Sequence, residues 1–169
     1  MENTTKQEVW LRGPLPEVPA LLQPVAHALL QAREEINFML KDFPEEKLWL
    51  KVAGVASVGF HLQHMRGVMD RLTTYADNSL LSEGQLQYLR LEGSSTDSLA
   101  ALLHFFNLEV DKVIALLKVT DESKLTEPRA VGRAQLPSTV IGLLVHIAEH
   151  TMRHTGQVLV TVRVLSSVN

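Results

Sequence analysis

The chain has no cysteine among its 169 residues. Disulfides, thiolate metal ligands and a cysteine nucleophile are therefore excluded. Aromatic residues make up only 5% of the sequence. A core of Leu, Val, Ala and Ile with so few aromatic rings suits helix packing better than a β-sandwich. No block of basic residues occurs, and the formal net charge is -3. That balance argues against a nucleic acid or an anionic membrane surface as partner. No apolar run approaches the roughly 18 residues of a membrane span. The first residues also lack the apolar core of a signal peptide. The expectation is a soluble cytoplasmic protein.

Hydrophobic residues account for 46% of the chain, enough to bury a core at this length. We expect one helical domain over residues 1–169, with 1–16 as an N-terminal arm. Apolar residues recur at helical period from about Pro19 to Lys41, ending at Asp42-Phe43-Pro44. Residues 44–53 form a connection. A second helix, capped by Ser57, reaches about Asp77. A short helix starts at Ser82 and ends by Gly93. A third long helix follows caps at Ser95 to Asp97 and reaches about Lys118. Residues 119–137 make a long polar excursion that could pair as a hairpin, Arg129–Val131 against Arg133–Gln135. The last helix starts near Pro137-Ser138-Thr139 and runs to about Leu165. Four long helices predict an all-α four-helix bundle.

The seven histidines are the compositional oddity. On the last helix, His146, His150 and His154 recur every four residues. Residues four apart on a helix differ by only about 40° in direction, so neighbouring members of this stripe could share one metal ion. His61 and His64 on the second helix, about 60° apart, could reach across the bundle to them. Imidazole accepts zinc, nickel, copper or iron. Three protein ligands with open positions suit a reactive site better than a structural one. A hydrogen-bonded histidine network, or a pH-sensitive interface, fits the same spacing. His27 and His104 read as hydrogen-bonded core residues, and Trp10 and Trp49 as packing residues. Glu149 and Arg153, four apart, read as a surface ion pair. Gly156 reads as a site of close helix approach. Gln157, three residues after His154, could bond a ligand or a substrate. Arg129 and Arg133 read as solvated loop charges that could also meet an anionic group.

Two segments carry a resemblance: Ser57-Val-Gly-Phe-His-Leu-Gln-His64-Met and His150-Thr-Met-Arg-His154-Thr-Gly156-Gln157. Together they resemble the helix-two and helix-four motifs of the DinB/YfiT-like superfamily. The resemblance implies a four-helix bundle with a right-handed connection order, often a homodimer. It implies His64, His150 and His154 as ligands of a divalent ion, zinc or nickel first, with iron and manganese as alternatives. His61 and His146 are extra to the pattern and become neighbours of the site, although His61 could replace His64. Asp70, six residues after His64, reads as a structural contact. The wider superfamily includes thiol-dependent S-transferases, so a metal-dependent enzyme acting on a small-molecule substrate is implied. With no cysteine of its own, the chain would draw on an external low-molecular-weight thiol. Hydrolysis by metal-bound water is the rival chemistry. The rival class is a metal-binding or stress-associated interaction protein without catalysis, or a purely structural dimer.

Overall fold

A computed structural model describes residues 7–94 and 97–167. It holds five α-helices: α1 (Gln23–Leu40), α2 (Val58–Ala76), α3 (Glu83–Leu91), α4 (Leu99–Val119) and α5 (Val140–Ser167). A two-stranded antiparallel hairpin, β1 (Pro128–Val131) and β2 (Leu136–Thr139), precedes α5. The long helices α1, α2, α4 and α5 form the bundle, with α1 and α2 each packed against both α4 and α5. The all-α expectation holds, with the hairpin as its one β element among the described residues.

The apolar stripes read from the sequence meet in the middle. Leu29 and Ile36 of α1, Leu62, Met65 and Met69 of α2, Phe106 of α4, and Leu144 and Ile147 of α5 are fully buried. α2 and α5 run antiparallel, because His61 faces His154 while His64 faces His150. This pairing places the histidine segments of the two helices side by side. No described helix is long and apolar enough to cross a membrane.

The N-terminus of α2 is built with care. Ser57 is buried, and its hydroxyl accepts a hydrogen bond from the Phe60 amide at 3.2 Å, as the sequence suggested. The Gly59 amide donates to the Leu48 carbonyl at 2.9 Å. A side chain at Gly59 would run into the Trp49 ring, whose atoms lie 2.7 Å from an ideal Cβ position. Leu48 and Trp49 of the connection therefore lie against the first turn of α2.

Several expectations need correction. Helix α1 starts at Gln23, not Pro19; Ala20–Leu22 is a 3-10 turn, and Pro24 occupies the first α-helical turn, where its missing N–H costs nothing. Helix α4 is capped by Ser98, whose hydroxyl accepts from the Ala101 amide; of the expected caps, Ser95 and Thr96 lie outside the described residues. The hairpin pairs Val131 with Leu136 and Pro128 with Thr139, so its second strand is 136–139 rather than 133–135. Gly132 and Gln135, both at positive φ, instead bracket the turn. Pro137, with no N–H to offer, fits this edge strand, and α5 begins only at Val140. Neither His104 nor His27 is a core residue: His104 is exposed, and His27 is half-buried, with its ring bonded to the Gly13 carbonyl at 3.1 Å. Trp49 does pack against the core, but Trp10 is 60% exposed.

Replacing Ser57 with Ala removes the cap beneath the histidine turn of α2. The expected loss is about 0.5–2 kcal/mol in urea unfolding, with hydrogen exchange accelerating first at the amides of residues 58–61. Unchanged stability would contradict the capping role.

Candidate metal centre

His64, His150 and His154 come together between α2 and α5, with one nitrogen from each lying within 4.8 Å of the others. The Nε2 atoms of His64 and His150 are 3.0 Å apart. His150 and His154 lie one turn apart on α5, their rings tilted to one another with centres 4.5 Å apart. Phe60 stacks on His64 at 5.2 Å and shields that ring from one side. His61, the extra histidine of α2, pairs with His154 instead, Nδ1 to Nδ1 at 2.9 Å. That bond leaves Nε2 of His154 as its remaining donor. The geometry thus selects His64 over His61 for the three-nitrogen cluster and sets His61 behind His154. His146 stays outside: half-exposed, its ring lies tilted beside His150 at 5.2 Å, and it is 3.4 Å from Glu149.

The donor set fits a divalent ion of the imidazole-binding class. Two nitrogens sharing a tetrahedral zinc lie about 3.3 Å apart, and the 3.0 Å contact is within a few tenths of that. Nδ1 of His150 is buried and has no hydrogen-bond partner among the described residues, so one polar atom of the cluster is left unmet by the surrounding groups. The two α5 nitrogens are also kept neutral, as ligands must be. Burial first, and then the neighbouring imidazoles, hold His61, His150 and His154 down to about 4 from the ordinary 6.5.

The sequence reading missed the group that holds His64. Nδ1 of His64 lies 2.6 Å from Oε2 of Glu92, just beyond the end of α3. The other oxygen of Glu92 accepts from Arg71 Nη1 at 2.7 Å, two turns down α2 from His64. A carboxylate can only accept, so Nδ1 of His64 is the donor in this bond and Nε2 is the nitrogen turned toward His150. Gly67 makes room for this arrangement, since a Cβ there would collide with the Glu92 carboxylate, the Arg71 guanidinium and the Tyr88 ring. No spacing rule marks Glu92, because it lies 28 residues from its partner. The one available signal was a glycine inside an otherwise periodic helix.

Beside His61 opens a cleft of about 440 Å³, bounded by Val55, Ala56, Gly156, Gln157 and Val160. Gly156 is not a point of close helix approach, as the sequence reading had it: nothing lies within 4 Å of its missing Cβ, and the space belongs to the cleft. Gln157 is exposed on the wall of the cleft. Glu149 and Arg153 form the expected surface pair, with Nε of Arg153 donating at 2.8 Å. Arg129 is taken up by structure, donating to the Ala76 carbonyl at 2.7 Å. Arg133 lines a separate cleft with Tyr75 and Asn78.

A family model described as the DinB superfamily matches residues 28–158. Two crystal structures share the fold. One is a protein from Streptococcus pneumoniae, 13% identical, with TM-score 0.61, covering 85% of this chain and 89% of that one. The other is an uncharacterized protein from Clostridium difficile 630, 11% identical, with TM-score 0.62, covering 85% and 94%. No curated protein matches the chain.

The lowered histidines set a pH dependence. The unfolded chain takes up protons near pH 6.5, whereas the folded cluster takes them up only near 4. Their contribution to stability is therefore complete above about 6.5 and is lost as pH falls toward 4. The thermal midpoint of the metal-free protein should drop across this window, and less steeply in His150→Gln. A midpoint indifferent to pH between 6.5 and 4 would refute the buried neutral cluster.

Proposed function

The chain belongs to the DinB superfamily, and on that footing we propose that it is a metal-dependent enzyme in which His64, His150 and His154 hold one divalent ion. The supporting observation is the convergence of three imidazole donors from two helices beside a cleft. Zinc or nickel is the first choice of ion, with iron and manganese behind them. Transfer of an external thiol to a small electrophile ranks ahead of hydrolysis. The protein is read as a cytoplasmic homodimer.

A bound ion would supply Lewis acidity, bringing a coordinated water toward a pKa of about 7 or holding a thiol as thiolate. The chain's own residues do the rest. Three imidazole ligands would leave the charge of a bound ion uncompensated and would favour an anionic fourth partner. Because no cysteine is present, the thiol has to enter from solvent. His61 stands between the cleft and His154 and lies within reach of whatever occupies that space. Gln157 offers an amide donor and acceptor on the same wall, suited to orienting a polar substrate group. Val55, Ala56 and Val160 supply the apolar surface against which the body of a small substrate would lie.

Protein purified without a histidine tag should carry close to one zinc or nickel ion per chain after reconstitution. His64→Ala and His150→Ala should each lose it, and His61→Ala should keep it. Metal retained by both of the first two variants would sink the ligand assignment. A panel of thiols against electrophiles, run beside ester and amide hydrolysis, separates transferase from hydrolase; silence across the panel with metal bound would favour a sensor or interaction role.

The cleft has its own test. Gly156→Leu should fill it, lowering kcat/KM at least about tenfold while metal content stays unchanged. Full activity in that variant would remove the cleft from the substrate path.

A further inference from the structure

Helix α3 is weakly held. It is only nine residues long and buries none of them. A helix of that length does not persist alone in water. Its attachments to α2 are the Tyr88 ring, which lies against Gly67 with the Arg66 guanidinium 4.6 Å over it, and a few hydrogen bonds. The Tyr88 hydroxyl donates to the Gln63 carbonyl at 3.1 Å, and Gln85 donates to the Thr74 hydroxyl at 2.7 Å. Just past the helix, the Gly93 amide donates to the Gln63 side chain at 2.8 Å. Between these contacts sits Glu92, whose side chain is only 6% exposed and which holds both His64 and Arg71.

We propose that Glu92 is a positioning residue for His64, and that through it the seating of α3 and the loading of a divalent ion form one linked equilibrium. The inference rests on the metal reading of the histidine cluster. With α3 lifted, His64 loses the acceptor at Nδ1 and exchanges between two tautomers, only one of which presents the Nε2 lone pair to His150. With α3 seated, the carboxylate fixes the proton on Nδ1 and leaves Nε2 ready as a ligand. In the reverse direction, an ion on Nε2 withdraws electron density from the ring. The Nδ1–H then becomes a stronger donor to Glu92, which favours the seated helix. Arg71 neutralises and orients the carboxylate, and Gly67 is the gap that admits it. By linkage, the factor by which seating improves metal affinity is the factor by which metal favours seating.

The test titrates zinc into the metal-free chain and into Glu92→Gln, with hydrogen exchange at residues 83–91 followed in both. Glu92→Gln keeps the shape and removes the charge. It should weaken zinc binding about 10–100-fold. In the unaltered chain, zinc should slow exchange across α3 by a comparable factor, and in Glu92→Gln it should not. Cobalt in place of zinc should give a shifted visible spectrum in Glu92→Gln at saturation, which a general loss of stability would not produce. Glu83→Gln, which breaks the exposed Glu83–Arg90 pair on the same helix, should leave all three readouts unchanged. Equal zinc affinity in the unaltered chain and Glu92→Gln would overturn the positioning role. Weakened affinity with no zinc effect on α3 exchange would overturn the linkage. Failure of zinc, nickel and cobalt to bind the unaltered chain would remove the metal reading and this inference with it.

Discussion

The contact on which the site depends is the antiparallel packing of α2 against α5. It is an apolar contact first. Leu62, Met65 and Met69 on one helix meet Leu144, Ile147 and Val158 on the other within one buried cluster. Apolar burial of this kind is the dominant favourable contribution to folding. The imidazoles sit along the same seam, where water is partly excluded and protonation is suppressed. The seam therefore does two things at once: it holds the helices in register and keeps the nitrogens neutral. A shift of either helix by one turn would move the rings about 5.4 Å past one another and dissolve the cluster.

Polar groups then refine what the seam brings together. Ser57 and Trp49 fix where α2 begins, and so how far along it the first histidine turn lies. Glu92 and Arg71 fix which nitrogen of His64 faces inward. His61 takes up one nitrogen of His154. Each is a local bond, yet together they reduce the number of arrangements the rings can adopt. A cluster of flexible side chains becomes a set with defined directions, which is what selective metal binding requires.

Much of this was legible in the sequence, and the reason is periodicity. The four long helices announce themselves through apolar stripes, and the histidines at spacing three and four fall on one side of those stripes. Ser57 is a cap that chemistry alone identifies. What escaped were features set by tertiary contact. Glu92 has no spacing relation to His64. Gly156 looks like a packing glycine from sequence, yet it opens space. Pro137 reads as a helix start but lies in a strand, because the pairing of Val131 with Leu136 is decided by the turn between them. His104 falls beside an apolar stripe in sequence and faces solvent in the fold.

The two tryptophans differ in their surroundings in a way that has optical consequences. Trp10 lies largely in solvent, its indole N–H bonded to Glu8 at 2.7 Å. Trp49 lies against Gly59, at the turn of α2 that leads into His61 and His64. Their emission should therefore differ in wavelength and in access to quenchers, with the bluer, protected component coming from Trp49. With Trp10 replaced by Phe, that single indole becomes an intrinsic lamp at the entrance to the histidine turn, so the state of the seam can be followed in real time without attaching a label.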